Sequence, residues 1–195
     1  MNKQVALNNL KDLDSIFRKN NISYWLQDGT LLGYYRERDF IAHDKDTDIG
    51  LFFKDFNLDI LNEILKAGFR IKRVLGDKKD SLEITIFKNK LKTDLFFYYE
   101  RKDNPNVVYH CSFDRGRRRI DYEYEKFNIK EVKWFDHSFL VPNDELKFII
   151  TKYGTTWNVP NTNWGWAYSP LNHVKTDIII PETVSMADFK IWSKL

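Results

Sequence analysis

Apolar residues recur at helical spacing from the start of the chain: Leu7, Leu10, Leu13, Ile16 and Phe17 share one face of an amphipathic helix over residues 3–20. A short apolar run at 22–26 stops at Asp28-Gly29, which reads as a strand ending in a turn. Thr30 is placed to cap a short helix that carries Leu31, Leu32 and Tyr35. Residues 47–53 give a second strand. Leu58, Leu61, Ile64 and Leu65 then form another helix face, ended by Gly68. Three strands follow at 69–74, 82–87 and 91–99, with turns around Asp77 and Asn89. Residues 104–140 read as mixed strand and loop. A last helix spans 143–153, with Leu146, Ile149 and Ile150 inward and Gly154 at its end. From about residue 155 the chain is aromatic and irregular. The order predicts an α/β (α+β) fold, a β-sheet with flanking helices, in a single domain over 1–195.

Composition narrows this picture. A chain of 195 residues is the size of one domain and long enough to bury a real core. Aromatics make up 16% of it, which excludes a disordered chain. Lys and Arg number 31 against 28 Asp and Glu, and a net charge of +3 is too mild for a dedicated nucleic-acid binder. The single cysteine, Cys111, excludes an internal disulfide and a cysteine-rich zinc module, and it reads as a small buried hydrophobe. The first 20 residues hold no apolar core of a signal peptide, and no run is long enough to span a membrane. The expectation is a cytoplasmic protein, with peripheral contact at the inner face of a membrane left open.

The densest chemical signal is Asp44-Lys45-Asp46-Thr47-Asp48-Ile49. On a strand, period two projects all three acids from one face. Carboxylates that close repel and call for a cation between them, and hard oxygen ligands suit Mg²⁺ or Mn²⁺. The same alternation also fits acids on the solvent face of an edge strand, and spacing alone leaves both readings open. Upstream, Asp28-Gly29-Thr30 opens a helix, where a glycine turn can present N–H groups to phosphate or simply cap the helix. Downstream, Asp94 is a lone acid within the apolar run Leu91–Tyr99, costly to bury without a partner.

Taken together, Gly29-Thr30-Leu31-Leu32-Gly33, Arg36, Phe40-Ile41, Asp44, Asp46 and Asp48-Ile49 resemble the LicD/fukutin family of the nucleotidyltransferase fold. Asp94-Leu95-Phe96 is similar to the family's later strand, and Val141-Pro142 with Tyr153-Gly154, Trp157 and Pro160 to its C-terminal signature. The resemblance touches residues 22–160, with no match at 100–138. It implies a metal-dependent enzyme that moves a phospho-group, phosphocholine or an alditol phosphate such as ribitol or glycerol phosphate, from a CDP-linked donor to a sugar hydroxyl. The acceptor would be a surface glycan, glycolipid, lipopolysaccharide or capsule. By the same resemblance Asp46, Asp48 and Asp94 would be the catalytic metal ligands for Mg²⁺ or Mn²⁺. Asp28 and Asp44 would stand behind them, and Gly29, Thr30 and Arg36 would bind the donor phosphates. Two rivals are a nucleotidyltransferase that places NMP on a small molecule such as an aminoglycoside, and a non-catalytic glycan-binding domain.

Weaker signals remain. Arg117, Arg118 and Arg119, in the most basic stretch, read either as an acceptor-binding patch or as a solvated loop. Trp157, Trp164, Trp166 and Tyr168 read as packing or as platforms for a ring. His43, His110, His137 and His173 lack metal-ligand spacing and read as ordinary residues.

Overall fold

The computed structural model describes residues 1–180. Helix α1 (Lys3–Lys19) starts where the Asn2 side chain accepts a hydrogen bond from the Val5 N–H, 3.2 Å. It buries Leu7, Leu10, Leu13 and Phe17, the face read from the spacing. Strand β1 (Tyr24–Leu26) leads into a five-residue helix, α2 (Asp28–Leu32), which continues as a wide π-type turn over Gly33–Glu37. Strand β2 (Asp46–Phe52), helix α3 (Leu58–Lys66), and strands β3 (Arg70–Leu75), β4 (Glu83–Lys88) and β5 (Leu91–Glu100) follow.

The stretch expected as mixed strand and loop is almost all strand: β6 (Val107–Phe113), β7 (Arg118–Glu125), β8 (Ile129–Trp134) and β9 (His137–Pro142). Helix α4 (Glu145–Tyr153) comes next. The segment expected to be irregular contains a further strand, β10 (His173–Ile179), which pairs with β7. In α4 the inward face is Phe148, Ile149 and Lys152, whereas Leu146 is exposed. Spacing favoured Leu146 because a lysine is not expected in a core, but Lys152 has a carboxylate partner there.

Among the described residues eight strands form one mixed sheet, in the order β1-β2-β5-β6-β7-β10, with β4 also on β5 and β3 on β4. Strand β5 serves two neighbours on one side: its first half pairs with β4, and Tyr99 and Glu100 pair with β6. Among the described residues only β2 and β5 run parallel. Strands β8 and β9 form a separate hairpin.

The pleat sorts the sheet's two faces. Ile49, Leu51, Leu95 and Phe97 enter the core, where Phe97 meets Phe56 at 4.7 Å between ring centroids. The alternate residues Asp46, Asp48, Asp94 and Phe96 face a cleft. Trp25 is fully buried beside Gly50, where any side chain would run into the indole. The mixed sheet with flanking helices is the architecture expected from the sequence. Among the described residues no helix is long and apolar enough to cross a membrane.

Candidate active site

A cleft of about 530 Å³ opens over the face shared by β2 and β5. Its rim comes from the turn after α2, the end of α4 and the aromatic stretch that includes Trp157, Trp164 and Trp166. The parallel register sets Asp46 beside Lys92 and Asp48 beside Asp94. Period two on each strand then brings four charged groups to one face, which explains why the acids had to alternate.

Asp44, Asp46 and Asp48 each offer a carboxylate oxygen, and these oxygens all lie within 4.8 Å of one another. Asp48 is buried. Its backbone N–H donates to Thr30 Oγ1 at 2.8 Å, and its Oδ2 accepts the Gly29 N–H at 3.1 Å. Burial, then the charges of Asp46, Asp28, Asp44 and Asp94, pushes Asp48 well above the ordinary carboxylate range. Burial and its neighbour Asp46 push Asp44 up to about 7.

The surroundings enforce this crowding. A Cβ on Gly29 would lie 2.5 Å from Asp44 Oδ2 and 3.3 Å from Asp48 Oδ2, so only glycine lets the backbone come so close. Asp28 sits in the left-handed region at φ 44°, an uncommon conformation that Asp tolerates better than most residues. Its carboxylate holds the buried Lys152 ammonium at 2.5 Å and accepts from Gln27 Nε2 at 2.9 Å.

Asp94 lies outside the three-carboxylate group. Its Oδ1 accepts from the Thr85 hydroxyl at 2.6 Å, and its Oδ2 pairs with Lys92 Nζ at 2.8 Å. Lys92 also reaches Asp46 Oδ2 at 2.5 Å. Burial opposes the charge on Lys92, but Asp94 and Asp46 more than offset it and push the ammonium up. The set expected from the resemblance was Asp46, Asp48 and Asp94; the geometry groups Asp44 with the first two and ties Asp94 to Lys92.

Gly29 and Thr30, expected at phosphate, are committed to Asp48 instead, and Thr30 lies inside α2 rather than capping it. Arg36 lines the cleft, held by Glu37 at 2.8 Å and by the Trp157 carbonyl at 3.0 Å. The basic stretch departs from the picture of an open patch. Arg119 is buried on β7 and paired with Asp121 at 2.6 Å and Asp80 at 3.0 Å, Arg118 pairs with Asp177 at 3.1 Å, and Arg117 turns the chain at φ 62°. None of the three lines the cleft. Trp157, Trp164 and Trp166 do, while Tyr168 does not.

Residues outside the sequence reading also converge here. Lys92 carried a signal, since it stands two residues before Asp94 and therefore on the same strand face. Lys152 carried a weaker one, as a lone cation on an apolar helix face. Glu83, Arg73 and Ser112 come from three strands, and no local pattern joins them.

The comparisons with known proteins fit this geometry. A solved structure of the antibiotic-resistance factor ANT(2'')-Ia shares the fold at 11% identity, with a TM-score of 0.51 over 85% of this chain and 80% of that one. Residues 21–144 match the family described as LicD/FKTN/FKRP, nucleotidyltransferase domain, and the chain belongs to that family. It is 34% identical over 170 residues to the Mus musculus ribitol-5-phosphate transferase FKTN, covering 87% of this chain and 35% of that protein. An uncharacterized protein of Rickettsia typhi is 29% identical over 146 residues, covering 74% of this chain and 44% of its own length. The chain thus spans about a third of the FKTN proteins it matches.

Proposed function

We propose that this chain is a phosphotransferase that moves an alditol phosphate, ribitol phosphate first among them, from a CDP-linked donor to a sugar hydroxyl of a glycan. The observation that carries the reading is the convergence of Asp44, Asp46 and Asp48 at one cleft, in a member of this family. The relative's being a ribitol-5-phosphate transferase supports ribitol phosphate over phosphocholine. A surface polysaccharide or lipopolysaccharide acceptor follows from the resemblance.

The donor set fits a divalent cation: three hard oxygens lie close together, and burial together with their mutual repulsion drives Asp44 and Asp48 toward protonation. Asp46 and Asp48, with Asp44 beside them, would hold Mg²⁺ or Mn²⁺. When bound, the ion supplies charge neutralisation to the donor diphosphate and the departing CMP. The Gly29 N–H fixes the Asp48 carboxylate, and the Thr30 hydroxyl holds the Asp48 backbone N–H. Arg36, with N–H groups beyond those given to Glu37 and Trp157, binds a diphosphate oxygen. Asp94, oriented by Thr85 and Lys92, takes the proton of the attacking sugar hydroxyl.

A thermal-shift panel of CDP-ribitol, CDP-glycerol, CDP-choline, CTP and ATP, with and without Mg²⁺, tests the reading. A ligand at 100 times its Kd stabilises by about 2.7 kcal/mol. Mg²⁺-dependent stabilisation by CDP-alditols above the others supports the proposal. Stabilisation by CTP or ATP alone points to NMP transfer.

A further inference from the structure

Beyond the carboxylates, the cleft extends over the sheet to groups that the transfer chemistry leaves unused. Glu83 on β4 stands beside Phe96 of β5 in register and is 2% exposed. Its Oε1 accepts from Arg73 Nη2 at 3.0 Å and its Oε2 from the Ser112 hydroxyl at 2.7 Å. A carboxylate offers about four lone-pair positions, so two remain for further donors. Arg73 is half-exposed and has N–H groups beyond the one given to Glu83. His110 on β6 is 1% exposed and lies against Tyr122 in a stacked pair at 4.9 Å, and neither ring nitrogen has a hydrogen-bond partner. All of these residues line the same cleft as Asp46, Asp48 and Asp94.

Unpaired polar atoms in such a place are rare in native proteins and point to a missing partner. The partner is a neutral group, because Glu83 and the nearby Asp94 disfavour an anion while the Arg73 guanidinium disfavours a cation. It must both donate and accept. Burial holds His110 far down, at about 3, so its neutral ring presents one donor and one acceptor. Hydroxyl groups on adjacent carbons do both, and their C–H faces suit aromatic walls such as Phe96 and Trp166.

We infer that Glu83, Arg73 and His110 form a subsite for a polyhydroxyl group, with Glu83 accepting from a pair of neighbouring hydroxyls. The inference rests on the transferase reading for the source of that group, either the alditol chain of the donor or the sugar ring of the acceptor.

The test compares wild type with Glu83→Gln, which keeps the shape and can still bond Arg73 and Ser112, and with His110→Phe. Affinities for CDP and CDP-ribitol are measured by calorimetry with Mg²⁺, and free pentoses, hexoses and ribitol are screened by saturation-transfer NMR. If the donor alditol fills the subsite, CDP-ribitol binds wild type more tightly than CDP. Glu83→Gln then weakens CDP-ribitol by about 10- to 100-fold and leaves CDP unchanged. If the acceptor sugar fills it, both nucleotides are unaffected and the saturation-transfer signal of a free sugar disappears in the variants. Either result supports the subsite. Unchanged binding of every probe in folded variants, or equal weakening of CDP and CDP-ribitol, overturns it. Polyol binding that depends on Glu83, in a chain that binds no CDP, keeps the subsite and removes the transferase reading instead.

Discussion

Asp46 and Asp48 are the residues on which turnover should depend most. Asn in either place keeps the shape and removes a charge that would hold the proposed cation, so each variant should lose about a thousandfold in turnover. The metal-free fold should persist, because one repelling charge fewer relieves the cluster that pushes Asp48 up. Assaying CMP release beside a melting curve checks both halves, and near-normal turnover would remove these residues from the metal set. Lys92 makes a second expectation. Its ammonium is the countercharge shared by Asp46 and Asp94. Lys92→Met should cost about 1–2 kcal/mol in metal-free buffer, discounted from a buried-pair value because the side chain is partly open to solvent. Added Mg²⁺ should recover much of that loss. A melting temperature that ignores Mg²⁺ in this variant would contradict the arrangement.

Among the elements, the parallel pair of β2 and β5 and the glycine turn before them build the site. Gly29→Ala puts a methyl group against Asp44 and Asp48. It should weaken Mn²⁺ binding by about tenfold or more while leaving the fold intact, since the clash is with movable carboxylates rather than backbone. Titration of Mn²⁺ followed by paramagnetic resonance measures this, and unchanged affinity would show that the carboxylates need not crowd. The elements around the site differ in how well the sequence revealed them. Helix α1 and the strand that became β2 were legible because one face of each is uniformly apolar or uniformly charged. Strands β6 to β9 were not, since Tyr, Arg, Asp and Glu fill positions there that the core accepts only through pairs such as Arg119–Asp121. Strand β10 was missed for another reason: much of it is exposed on an edge, so burial leaves little pattern in its sequence. The acids themselves were visible in the sequence, but Asp94's tie to Lys92 and Thr85 depends on the register of three strands, which local spacing does not encode.

At the scale of the whole molecule, burying charge in the cleft should leave a mark on stability. Glu83 is pushed up to about 7 by burial and by the charge of Asp94, from an ordinary value of 4.5. An acid raised on folding makes the folded chain hold the extra proton. Stability therefore falls as pH rises from about 4.5 to about 7, and is fully retained below that window. Glu83→Gln should flatten the fall, seen by urea unfolding at a series of pH values, and an equal slope in both proteins would contradict the burial of a charge there. In the proposed reaction CMP leaves the donor. The protein is incubated with CDP-ribitol and Mg²⁺, and in parallel with CTP and Mg²⁺, and products are followed by ³¹P NMR for wild type and Asp48→Asn. The account predicts CMP from CDP-ribitol, only with the divalent cation and only in wild type. Pyrophosphate from CTP with no CMP from CDP-ribitol would contradict it.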